Sequence, residues 1–271
     1  MVIRPLTAKD FDAVYRGFVE AFSDYVVPLA PSPGQLREML TRRGWIPEVS
    51  VGAFEGERMV AFTLNALEGE RGYDSGTGVV PAYRRQGMAR ELMERSFTLL
   101  QERGARQYVL EVIDDNTRAA ALYLALGFVE SRGLQCWRHE WRVAGGRGQA
   151  GEVPEPAQPL SVWASWRDVT PSWQNSDASL ARAEDPHVVL GHSDGYAVVF
   201  PSTGDLTQLA VRREARRTGV GTRLLQAAEA VAGKPLRIMN VDDGNPGIAR
   251  FLEQSGAIRT VHQLEMIRPL P

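Results

Sequence analysis

The stretch VVPAYRRQGMARELM, residues 79–93, decides how the chain is read. The apolar pair Val79-Val80 runs into Pro81. Arg84 and Arg85 follow, then Gly87. From Ala89 the inward positions (Ala89, Leu92, Met93, Ser96, Leu99, Leu100) fall at helical spacing. A strand therefore meets a helix at a glycine flanked by cations. The first N–H groups of a helix lack intrahelical partners and carry partial positive charge. An anion is stabilised there, glycine lets it approach the backbone, and arginine adds forked, charged donors. Charge-assisted hydrogen bonds contribute about 1.5–3 kcal/mol each, so several together suffice to hold a diphosphate. The loop has neither the Gly-Lys-Ser/Thr of a mononucleotide P-loop nor the GxGxxG of a dinucleotide site.

A close echo, VRREARRTGVGTRLL, occupies 211–225. Arg216 matches Arg84, Asn245 matches Asn116, and Leu224, Leu225 and Ala228 copy the face of Leu92, Met93 and Ser96. Between the copies lies VAGGRGQAGEVPEPAQP, 143–159, rich in Gly, Pro, Ala and Gln and without apolar period, which reads as a linker. Two related domains follow, 1–142 and 160–271, the second shorter. In the first, a short strand at VIRPL precedes a helix capped at Thr7 and a second opened by Ser32. Strands at VSVGAF, MVAFTLNAL and GTGVV lead to the long helix. QYVLEVI is a strand, Asn116 caps a helix that Gly127 stops, and LQCWRHEW closes the half. The order is that of an α/β or α+β single-sheet domain.

The 271 residues carry a net charge of −2, which gives no basic field for nucleic acid. A lone Cys136 excludes an internal disulfide and a cysteine-built zinc site, and the histidines at 139, 187, 192 and 262 lack ligand spacing, so no metal is expected. No apolar leader opens the chain and no run approaches the roughly 18 residues of a membrane span. The expectation is a cytoplasmic protein with no membrane partner.

Two motifs in this order resemble the GNAT superfamily of N-acetyltransferases. The family's Arg/Gln-x-x-Gly-x-Gly/Ala is met by Arg84-Arg85-Gln86-Gly87-Met88-Ala89. Its Asn-x-x-Ala-x-x-x-Tyr-x-x-x-Gly-Phe is met by Asn116, Ala119, Tyr123, Gly127 and Phe128. The resemblance implies two domains, each a mixed, mostly antiparallel twisted sheet flanked by helices and splayed at an acetyl-coenzyme A (acetyl-CoA) cleft. It implies cofactor contacts at Val79, Val80, Arg84, Arg85, Gln86, Gly87, Met88, Ala89, Arg90 and Asn116. By the same resemblance Tyr123 faces the cofactor's sulfur, and a carboxylate, Glu111 or Asp74, serves as base. Phe22, Tyr25 and Tyr73 fall where substrate loops lie in the family.

The second half keeps the loop (Arg216, Arg217, Gly219, Gly221) but holds Leu252 where Tyr123 stands and Ala257 where Phe128 stands. The expected activity is acetyl transfer from acetyl-CoA to a primary amine, of a small molecule or a peptide, by direct attack in a ternary complex within residues 1–142. A non-catalytic acyl-CoA-binding or regulatory protein, or a C-terminal active half, is the alternative. The protein is expected to be a monomer or homodimer.

Overall fold

The computed structural model describes residues 1–24, 30–140 and 160–271. The linker read at 143–159 and the candidate Tyr25 lie outside them. The chain forms two compact units, residues 1–131 with 265–271, and residues 132–264.

The first unit contains β1 (Val2–Pro5), α1 (Phe11–Ala21), α2 (Pro33–Arg43), β2 (Val51–Glu55), β3 (Arg58–Glu68), β4 (Arg71–Val79), α3 (Met88–Glu102), β5 (Gln107–Ile113) and α4 (Thr117–Ala125). Local chemistry sets the helix ends. Thr7 N and Oγ1 both donate to Asp10 Oδ2 at 2.8 Å, which starts the turn into α1. Ser32 and Gln35 form a reciprocal capping box at α2, with Pro33 at its first position. β1 to β4 are antiparallel neighbours. Phe11, Val14 and Phe18 of α1 and Leu36 and Leu40 of α2 pack on Phe62 and Leu64 of β3. Met88 and Leu92 of α3 pack with Val51, Ala53, Val60 and Ala61.

The second unit contains α5 (Leu160–Trp163), α6 (Asp177–Arg182), β7 (Val188–His192), β8 (Gly195–Phe200), β9 (Asp205–Val211), α7 (Val220–Ala232), β10 (Leu236–Asp242) and α8 (Pro246–Gln254). The repeat extends to irregularities. A register shift between β3 and β4 leaves Ser75 bulged, and a shift between β8 and β9 leaves Thr207 bulged. Arg85 and Arg217 both have φ of 64°, and Gly87 and Gly219 both enter their helices from the left-handed region, φ 81° and 89°. The tryptophans of the short helical region pack internally, Trp163 stacking on Tyr196 at 5.0 Å.

β6 (Val129–His139) and β11 (Ile258–Pro269) depart from the sequence reading, which has each half close its own sheet. β6 pairs with β10 from Leu134 to His139. The sheet of the first unit is instead closed by the chain's last residues: β11 neighbours β5, and Leu270 N donates to Arg106 O at 2.8 Å. The two closing strands have the same alternation, so either sheet edge can accept either strand, and pattern alone does not choose.

Candidate functional site

The site forms where β4 and β5 part. Their parallel ladder runs through only three pairs and ends at Tyr73↔Val109. Beyond it a cavity of about 700 Å³ opens. Its walls are Thr77, Gly78 and Val79 of β4, the loop and start of α3, Ile113 at the end of β5, the start and one face of α4, and Ala21, Phe22 and Asp24 at the end of α1. Gly78 is required by close packing, because a Cβ there would lie 2.5 Å from the Phe62 ring.

The loop presents its backbone as the sequence implied. The first intrahelical bond of α3 is Glu91 N to Gly87 O at 3.1 Å, so Met88, Ala89 and Arg90 have N–H groups without helical partners. Gly87 has open space where a side chain would go. Of the residues expected to contact the cofactor, Val79, Arg84, Arg85, Gly87, Met88, Ala89, Arg90 and Asn116 line the cavity; Gln86 and Val80 do not. Val80 is buried and its N–H donates to Val60 O. Asn116 is occupied as the N-cap of α4, accepting from Ala119 N at 3.2 Å. Arg118, in the first turn of α4, also lines the cavity and was not singled out in the sequence. Its position one residue past the capped start of a second helix was the available signal. These groups fit the polyanionic end of a coenzyme A.

Tyr123 is buried on α4, its ring 5.7 Å from that of Phe128, and it forms part of the cavity wall. The two candidate bases lie at the apex where the strands separate, behind the wall. Asp74 is buried, and burial pushes its carboxyl up to about 6 against the bonds from Thr77 and Gly76 and the charge of Arg43. Gly76 N donates to Asp74 Oδ1 and Thr77 Oγ1 donates to Asp74 Oδ2, each at 2.8 Å. Thr77 is thus the cavity-facing end of a buried carboxylate. Glu111 Oε2 accepts from the Tyr73 hydroxyl at 3.1 Å. Tyr73 itself is 1% exposed and does not reach the cavity, whereas Phe22 does. Tyr108 donates to buried Asn65 behind the same apex.

The second unit keeps the frame with other side chains at the candidate positions. Positions equivalent to Asp74, Thr77, Arg118 and Tyr123 hold Leu206, Leu209, Gly247 and Leu252. Leu252 is 1% exposed, and the neighbouring Phe251 ring lies 3.5 Å from where a Cβ on Gly221 would be, against the start of α7. The side chain of Asn245 reaches Asp168 Oδ2 at 3.5 Å.

A sheet splayed beside a helix start with unpaired N–H groups is the frame of an acyltransferase that draws its acyl group from a coenzyme A thioester, and the family comparison agrees. The acetyltransferase (GNAT) family model matches residues 13–128 and again 147–257, and the chain belongs to that family. It is 32% identical over 93 residues to N-alpha-acetyltransferase 30 of Schizosaccharomyces pombe, covering 32% of this chain and 62% of that protein. It is 36% identical over 74 residues to the ribosomal protein bS18-alanine N-acetyltransferase of Escherichia coli, covering 27% of this chain and 50% of that one. The chain thus spans between half and two thirds of the length of these relatives. Among solved structures, it is similar to a GCN5-related N-acetyltransferase from Sphaerobacter thermophilus (TM-score 0.68, 17% identity, 99% of this chain and 95% of the other). It is likewise similar to a tandem GNAT protein from the clavulanic acid biosynthesis pathway (TM-score 0.68, 16% identity, 100% and 98%). At these identities the likeness is one of fold. No described helix is long and apolar enough to cross a membrane.

Arg118→Ala is expected to weaken acetyl-CoA binding on the order of tenfold while leaving S-acetylpantetheine, which lacks the diphosphate, unaffected. Calorimetry with the first donor and steady-state turnover with the second check it. Equal loss with both donors would assign Arg118 a packing role.

Proposed function

We propose that the N-terminal half transfers an acetyl group from acetyl-CoA to a primary amine by direct attack in a ternary complex. The observation that carries this is the cavity at the β4–β5 split, walled on one side by the helix-start loop and on the other by Tyr123. The N–H groups of Met88 to Arg90, with Arg85 and Arg118, hold the diphosphate end. The edge of Thr77 to Val79 pairs with the pantetheine arm as an added strand would.

The Tyr123 hydroxyl donates a hydrogen bond to the sulfur as the C–S bond breaks. A phenol near pKa ~10 is a weaker acid than a thiol near ~8.5, so Tyr123 stabilises a thiolate more than it protonates one. Asp74 takes the acceptor's proton through Thr77: the Thr77 oxygen accepts a proton from the attacking nitrogen as its own passes to Asp74 Oδ2. An alkylammonium near ~10.4 has no lone pair, so the acceptor attacks as the small neutral fraction present near pH ~7; the proton passed to Thr77 is the one the nitrogen sheds as it becomes acidic on attack. Glu111, bonded to Tyr73 at the same apex, is the second candidate for this role. One of the relatives is named for acetylating an alpha-amine and another for acetylating an alanine of a ribosomal protein. An alanine-initiated peptide therefore heads the acceptor panel, beside a lysine peptide and a polyamine.

The test is titration of acetyl-CoA into the wild type, Gly87→Glu and Gly219→Glu, followed by thiol release with the panel. Glutamate at position 87 projects into the anion's place. It also carries left-handed strain of about 1–2 kcal/mol, which Gly87→Ala controls without the charge. One site, lost with Gly87→Glu only and at least a hundredfold weaker, is the expected result. A site lost only with Gly219→Glu would move the activity to the second half. Binding without turnover of any amine would favour the non-catalytic reading.

A further inference from the structure

Arg84 is the first residue of the loop motif, yet its side chain is spent elsewhere. Nε donates to Val79 O at 3.0 Å and Nη2 to Ala21 O at 2.9 Å. Nη1 and Nη2 form a forked pair with Asp24, both bonds 2.7 Å. One guanidinium thus ties together the end of β4, the last carbonyl of α1 and the turn after it. Arg85 and Arg118, which line the cavity as Arg84 does, have no side-chain partner among the described residues.

The second unit repeats the same knot. Arg216 Nε donates to Val211 O at 3.0 Å and Nη2 to Trp166 O at 3.4 Å, and the guanidinium pairs with Asp168 at 2.9 and 3.1 Å. There it persists although the residues equivalent to Asp74, Thr77, Arg118 and Tyr123 are gone, so the knot does not depend on that chemistry. In both copies the next residue, Arg85 or Arg217, is held at φ 64°. A non-glycine residue stays in that region only when its surroundings over-determine it.

We propose that Arg84 is a positioning residue rather than a ligand of the diphosphate: with Asp24 it clamps the end of α1, which carries Phe22, onto the cofactor loop. The proposal rests on the reading that the N-terminal half is the active one. The clamp makes two walls of the cleft one rigid piece, so that the acceptor entering beside Phe22 meets the thioester at a fixed distance. Its loss misaligns the reactants without removing a cofactor contact.

The experiment uses the full chain with Arg84→Ala, Arg84→Lys, Asp24→Asn and the double variant Arg84→Ala/Asp24→Asn. Acetyl-CoA affinity is measured by calorimetry, and turnover with both acetyl-CoA and S-acetylpantetheine on the best amine of the panel. Arg84→Ala and Asp24→Asn are expected to lower kcat/KM for both donors by the same factor, on the order of tenfold, with acceptor KM raised and the acetyl-CoA Kd changed less than about threefold. The double variant is expected to be no worse than Arg84→Ala alone, because with the guanidinium gone Asp24 has no fork left to lose. Lysine, with one ammonium and no fork, does not restore the rate. A tenfold loss of acetyl-CoA affinity in Arg84→Ala, with S-acetylpantetheine turnover intact, would overturn the proposal. So would an Asp24→Asn variant identical to wild type. If no amine turns over, the melting temperatures of the ligand-free singles and double decide the clamp alone. Non-additive losses support it and additive or absent losses overturn it, while the silence of the assay counts against the proposed function.

Discussion

A chain cut after Leu264 is expected to lose its N-terminal unit, although the cut lies more than a hundred residues beyond the site. The seven residues removed belong to that unit. Met266 and Leu270 are each 2% exposed, and burial of such side chains contributes about 1.5–3 kcal/mol apiece. Arg268 Nε donates to Leu126 O, at the end of the helix that carries Tyr123, at 2.7 Å, and its guanidinium lies 4.0 Å over the Phe97 ring. A charged hydrogen bond of this kind adds about 1.5–3 kcal/mol. The sum, about 5–9 kcal/mol, is comparable with the whole stability of a domain of this size. The cut also bares the edge of β5, an invitation to aggregation. The truncated protein, and equally a fragment ending at residue 142, is expected to show a non-cooperative or strongly lowered melt and no acetyl-CoA binding. A truncated chain that melts within about 3 °C of the full one and binds normally would show that the exchanged strand is dispensable. Arg268→Ala tests the same contact more gently through the position of α4.

That dependence marks where the sequence stops being legible. The loop at 84–89, the helix behind it and the cap at Asn116 follow from local rules: unpaired N–H groups, a glycine at positive φ, apolar spacing. The same rules placed α1, α2 and the strands around them. They do not say which of two equivalent strands closes which sheet, because LQCWRHEW and HQLEMI present the same alternation and the choice is made by contacts far along the chain. Arg84 shows a similar limit. A sequence reveals a cation beside a glycine, but not that Asp24, sixty residues earlier, has claimed its fork. Thr77 escaped notice because a threonine on a strand is ordinary until its hydroxyl is found between a buried carboxylate and a cavity. Phe22 and Tyr73, read alike as aromatics near the acceptor, are separated only by packing: one lines the cavity and the other is sealed behind it.

Asp74→Asn is expected to lower kcat on the order of a hundred- to a thousandfold, the usual worth of a positioned general base, while making the protein more stable at neutral pH. The two effects have one cause. The Asp74 carboxyl is raised from its ordinary 3.8 to about 6, chiefly by burial. Between those values the folded protein holds a proton that the unfolded chain has released, so stability falls as pH rises from about 4 to 6. The full loss, about 3 kcal/mol, is in place above pH 6 and corresponds to a shift of roughly two pH units. Activity runs the other way across the same window, because only the ionised carboxylate accepts the proton relayed by Thr77. Asparagine keeps the shape: its oxygen can accept from Gly76 N, and its amide can donate to the Thr77 hydroxyl, which then turns toward Thr63 Oγ1, 3.2 Å away. The variant is therefore expected to lose both the acid limb of the pH–rate profile near 6 and the pH-dependent decline of its melting temperature over 4 to 6. Thr77→Val is expected to reproduce the loss of rate without the gain in stability, since it strips the buried carboxylate of a bond. If Asp74→Asn turns over normally and keeps the acid limb, Asp74 is not the base, and the rate of Glu111→Gln is the next measurement.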